Sequence, residues 1–103
     1  MVRVSVMYPN DGNVKFNMNY YMTKHIPMVR EKLGAACKSA LISQGISGPA
    51  PGSQPAYVAM AELDFDSADA FHAAFSPHAE AIIADIPNYT NAKPVIQISE
   101  IKR

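Results

Sequence analysis

The chain has 103 residues, about half of them apolar, with nine Lys and Arg against nine Asp and Glu. That length suits one domain spanning residues 1–103, and the balanced charge argues against nucleic acid or anionic lipid as a partner. The single cysteine, Cys37, has no internal disulfide partner, and MVRVSVMYP lacks the apolar run of a signal peptide or membrane span, so a cytoplasmic protein is expected.

The first strand is predicted over Met1 to Tyr8, where Val2, Val4, Val6 and Tyr8 alternate with Arg3, Ser5 and Met7 until Pro9-Asn10-Asp11-Gly12 turns the chain. From Phe16 to Leu33 the period becomes helical, with Phe16 and Tyr20 four apart and Gly34 closing the segment. Pro27 lies inside it. Proline lacks the amide hydrogen and clashes with the preceding turn, so two helical pieces are expected to meet at His25-Ile26-Pro27. A second strand is predicted over Ala35 to Gln44, followed by the long Gly-, Pro- and Ser-rich loop GISGPAPGSQP.

Tyr57 to Phe65 reads as the third strand, with apolar groups on both faces. Asp66 or Ser67 then caps a helix that buries Phe71, Ala74 and Phe75, with Asp69 in its first turn. Ser76-Pro77 restarts the helix as far as Asp85. Pro87 to Thr90 is a turn, and Val95 to Ile101 the fourth strand. The order strand, helix, strand, strand, helix, strand predicts an α+β, ferredoxin-like βαββαβ subunit with a four-stranded antiparallel sheet and both helices on one face. Apolar residues on both sides of strand three, with Val95, Ile96 and Ile98 in strand four, predict that a second copy covers the other face as a two-fold homodimer.

The chemistry is concentrated in FNMNYYMTKHIPM. His25 titrates near neutrality, and a helix break there would aim its ring into a cleft. Tyr21, four residues earlier, shares its face. His25 and Tyr21 are therefore the candidate catalytic pair, with His25 as general acid or base and Tyr21 orienting a carbonyl or enolate oxygen. Phe16, Tyr20, Tyr57, His78 and Gln97 are candidate ligand contacts. Each also has a plain structural role: Phe16, Tyr20 and Tyr57 as packing, His78 near the inward helical stripe, and Gln97 as a polar residue that could bond across a dimer. The spacing of His25, His72 and His78 makes no metal site, and the run Asp64, Asp66, Asp69 lacks the glycine turn and distal glutamate of a calcium loop.

Phe16, Tyr20-Tyr21 and His25-Ile26-Pro27, together with DIPNYTNAKPVIQISEI, resemble the EthD family, named for ethyl tert-butyl ether degradation, of the dimeric α/β-barrel superfamily. The resemblance covers nearly the whole chain. It implies a subunit whose sheet packs on that of a partner, with a cleft between sheet and helices, and it maps the family's histidine onto His25 and its tyrosine pair onto Tyr20 and Tyr21. Relatives in the superfamily include lactone isomerases, polyketide cyclases and monooxygenases, and the founding protein accompanies a cytochrome P450 system. Haem-binding relatives hold iron through a histidine of the second helix, where this chain offers only His72 or His78 outside a matching motif. The expectation is therefore an enzyme with no cofactor, an isomerase, cyclase or oxygenase acting on a small hydrophobic oxygenated compound by proton transfer. The alternative is a non-catalytic, ligand-binding dimer that serves an oxidation-pathway partner protein.

Overall fold

The computed structural model describes residues 1–102. Four strands, β1 (Val2–Pro9), β2 (Ser39–Gln44), β3 (Tyr57–Phe65) and β4 (Val95–Glu100), form one antiparallel sheet in the order β2-β3-β1-β4. Each crossover skips one strand, and the two βαβ units interleave as in a ferredoxin-like fold. The molecule measures 40 × 35 × 19 Å. Its short dimension suits one sheet under one layer of helices, which leaves the second sheet face bare.

The register explains which residues enter the core. Val4 lies opposite Leu63 and Ile98, and Val6 opposite Ala61 and Ile96, so these side chains share one face of the pleat. That face meets the helices: Val4, Leu63 and Phe65 are buried with Val29, Leu33, Phe71 and Ile82. Arg3, Ser5 and Met7 alternate onto the bare face, where Arg3 bonds Asp64 and Glu62 on β3. Ile96 and Ile98 therefore sit on the helix-covered side and give no support for a covered outer face. Of the strand-four residues named above, only Val95 points outward.

The helical layer begins with α1 (Met18–Tyr20), continues through a π segment, Tyr21–His25, and ends in α2 (Ile26–Leu33). The expected start at Phe16 moves to Met18, because Asn17 caps the helix by accepting the Tyr20 amide at 3.0 Å and Phe16 pairs with Thr90 in an isolated bridge. The two helical pieces meet where expected, at His25 and Ile26, but the chain is not broken there. One wide turn lies just before Pro27, in which the Ile26 amide reaches back five residues to the Tyr21 carbonyl, so the chain stays helical around a residue that cannot donate. Strand two begins at Ser39 rather than Ala35, because Gly34, at φ 62° and ψ −147°, opens a 3-10 turn over Gly34–Ala36. The second helical unit comprises α3 (Ala68–Phe75), capped by Ser67, a 3-10 turn over Ser76–His78, and α4 (Ala79–Asp85).

Among the described residues no helix is long and apolar enough to cross a membrane. Cys37 is buried, its thiol donating to the Ser39 carbonyl at 3.4 Å.

Candidate functional site

The π segment decides where the titratable groups point. By widening the helix it places Tyr21 and His25 on the same inner face, with rings stacked 5.5 Å apart and 14° from parallel. Both are buried, Tyr21 at 1% exposure and His25 at 4%. Opposite them, the segment after α4 brings in Tyr89, which packs 4.5 Å from the His25 ring and 5.0 Å from that of Tyr21. Backbone contacts fix this approach: the Asn17 amide donates to the Tyr89 carbonyl at 2.8 Å, and the Thr90 hydroxyl to the Lys15 carbonyl at 2.7 Å.

His25 has a partner on each nitrogen. Nδ1 lies 2.9 Å from Asp85 Oδ2, and Nε2 lies 3.2 Å from the Tyr89 hydroxyl, which is in turn 2.7 Å from the hydroxyl of Tyr8. Asp85 is held from three sides, since its other oxygen accepts from the Tyr20 hydroxyl at 2.8 Å and the Asn88 amide at 2.9 Å. Burial works against its negative charge, but the hydrogen bonds from Asn88, His25 and Tyr20 outweigh it and keep the carboxyl below its ordinary pKa. For His25 the balance goes the other way. Burial disfavours the imidazolium more than Asp85 favours it, so the ring titrates below 6.5 and is neutral at pH 7. Burial also pushes the Tyr8, Tyr21 and Tyr89 phenols well above their usual range, so all three remain protonated.

Between the sheet and the helices a cavity of about 70 Å³ meets Tyr8, Tyr21 and His25 on one wall and Val4, Leu63 and Phe71 on another. Ile83 and Ile96 also line it, although they are 56% and 52% exposed. Among the described residues His25 is the sole titratable lining group besides the two phenols.

The other candidate residues divide into two sets. Tyr20 stays outside the cavity and holds Asp85, while Phe16 packs edge-on at 5.0 Å against both Tyr8 and Tyr21 and backs the phenol cluster. Tyr57 at the start of β3, half-buried His78 and exposed Gln97, which donates to Ser99 at 3.0 Å on the bare face, do not line the cavity. Sequence reasoning missed Tyr8, Asp85 and Tyr89. A signal for Asp85 existed: a carboxylate in the last turn of a helix opposes the helix dipole and needs compensating donors.

The EthD domain matches residues 15–93. The chain belongs to the EthD family. Among solved structures it is similar to an EthD-like protein from Ralstonia eutropha JMP134, at 43% identity over 99% of this chain and 94% of that one, with a TM-score of 0.93. An ethyl tert-butyl ether degradation (EthD) family protein from Bacillus halodurans C-125 shares the fold at 14% identity and TM-score 0.69, covering 99% of both chains. A dimeric ferredoxin-like protein of unknown function from Thermobifida fusca YX shares it at 17% identity and TM-score 0.54, covering 97% of this chain and 89% of that one. A comparison with curated proteins gave no match. The EthD domain takes in Tyr21, His25, Asp85 and Tyr89, whereas Tyr8 lies before its first matched residue.

Proposed function

We propose that this EthD-family protein is a cofactor-independent enzyme that moves a proton on a small, neutral, apolar compound carrying a carbonyl or enol oxygen, by isomerisation, cyclisation or a related oxygenase-type step. The observation that carries this reading is a buried imidazole tied to Asp85 on the wall of a cavity lined, apart from two phenols, by apolar side chains. A neutral imidazole with a lowered pKa is a base at pH 7, and a neighbouring carboxylate steadies the cation it becomes. The substrate is neutral because among the described residues no Lys or Arg lines the cavity to receive an anion, and a carboxylate entering it would lose its hydration uncompensated. The working unit is a homodimer in the cytoplasm. Support for the dimer comes from the exposed Leu41 (63%) and Val95 (48%) on the bare sheet face, from the flat two-layer shape, and from the similar fold of the Thermobifida protein described as dimeric.

A second reading has its own support. Both ring nitrogens of His25 are already engaged, as they would be in a protein that holds a ligand, or hands it to an oxidation-pathway partner, without transforming it. Deuterium exchange separates the two. In heavy water, the enzyme reading predicts that the protein accelerates deuteration of acetylacetone or ethyl acetoacetate, followed by proton NMR, and leaves the anion acetoacetate at its uncatalysed rate. Saturable binding of the neutral probes without exchange favours the holding role, and neither binding nor exchange defeats both readings.

A further inference from the structure

His25 lines the cavity, yet neither of its nitrogens is free to meet a ligand there. Nδ1 is 2.9 Å from Asp85 Oδ2 and Nε2 is 3.2 Å from the Tyr89 hydroxyl. Tyr89 is itself off the cavity wall, and its hydroxyl is 2.7 Å from that of Tyr8, which is on it. We propose that Tyr8, Tyr89 and His25 form a proton relay in which Tyr8 exchanges the proton with the ligand's oxygen, His25 stores it, and Asp85 is the positioning residue that sets the direction of the resting hydrogen bonds. This rests on the proton-transfer reading given above.

The direction follows from donor and acceptor counting. Ionised Asp85 only accepts, so neutral His25 must place its hydrogen on Nδ1. Nε2 is then a lone pair, and the Tyr89 hydroxyl must donate to it. Having spent its hydrogen, the Tyr89 oxygen accepts from Tyr8. Burial keeps each phenol protonated at rest, as a relay of hydroxyls requires. When a ligand enol or hydroxyl approaches Tyr8, its O–H bond breaks toward the Tyr8 oxygen. The Tyr8 hydrogen passes to Tyr89 and the Tyr89 hydrogen to Nε2, leaving a ligand oxyanion and an imidazolium against the Asp85 carboxylate. Each phenol loses one proton and gains one, so no phenolate forms. Return of the proton along the same path restores the enol; when the oxyanion instead takes a deuteron at carbon from heavy water, the imidazolium's proton neutralises the deuteroxide left behind, and the carbon is labelled.

The relay can be tested without a ligand, by nitrogen-15 NMR of histidine-labelled protein. The wild type is expected to show His25 in the Nδ1–H tautomer, with the Nε2 resonance upfield of a free imidazole nitrogen because it accepts a bond. Tyr89→Phe should move Nε2 downfield. Tyr8→Phe should move it in the same sense by a smaller amount, although Tyr8 makes no hydrogen bond to the ring. Both variants should lower acetylacetone deuteration by about 10²–10⁴-fold while saturable binding persists. An Nε2–H tautomer in the wild type, or Tyr8→Phe and Tyr89→Phe proteins that exchange at the wild-type rate, would overturn the relay and leave the enzyme reading standing if the wild type deuterates the probe. A wild type with the expected tautomer and no deuteration of any neutral probe instead overturns the enzyme reading, and with it the relay's role as a proton path.

Discussion

At the residue scale, the site depends on one carboxylate serving three donors. Asp85 accepts from Tyr20, Asn88 and His25, and so converts its unfavourable position at a helix C-terminus into the anchor of the imidazole. The titration of His25 then has a sign that can be checked. Its folded pKa lies below 6.5, so the unfolded chain binds the proton more readily. The His25 contribution to stability is whole above pH 6.5 and is lost as pH falls through the folded pKa. Asp85, held below 3.8, adds a second loss at still lower pH. Urea midpoints measured against pH should fall below 6.5 in the wild type, and His25→Gln should flatten that part of the curve; parallel curves would contradict the assignment. Tyr89→Phe leaves the Tyr8 hydroxyl and His25 Nε2 without their shared partner. An unsatisfied buried group costs about 1–3 kcal/mol, and urea denaturation at pH 7 should show a loss of that order.

At the element scale, the π segment and the Lys15–Asn17 contacts with Tyr89 and Thr90 form the frame. The strands and helices were legible in the sequence because alternation in β1 and β3, the Ser67 cap and Gly34 are local signals. The wide turn at Tyr21–His25 was not. Pro27 announces a missing amide, but whether the helix breaks or widens depends on packing: here Tyr21 and His25 meet Tyr8 and Tyr89, and those aromatic contacts exist only in the folded chain. For the same reason His25 and Tyr21 could be picked out as a local pair, while Tyr8 and Tyr89 are 81 residues apart and each reads alone as a strand or turn residue. Gly34 provides a control distant from the chemistry. Its φ of 62° with ψ of −147° suits only glycine, although an added Cβ would meet no atom within 4 Å. Gly34→Ala should therefore cost about 1–3 kcal/mol in urea denaturation through backbone strain alone, with deuteration at the wild-type rate per folded molecule.

At the scale of the whole molecule, the sheet has two unlike faces. One is covered by helices and encloses the cavity. The other carries the Arg3, Asp64, Glu62 and Ser39 network at one end, with Leu41 opposite Glu62, and a row of Met60, Met7 and Val95 toward the other. Val95→Glu would put a charge among those apolar side chains if a second copy covers them. Light scattering at micromolar concentration should then show a dimer for the wild type and a shift to monomer for the variant, with the fold kept because Val95 makes no part of the core. A wild-type monomer would refute the dimer. The central claim concerns the other face, and one comparison tests it most directly: the rate of acetylacetone deuteration by wild type and by His25→Ala, with saturable binding of the probe measured in both. His25→Ala should still bind acetylacetone while its exchange falls to the uncatalysed rate; equal exchange by both proteins would show that His25 does not move the proton.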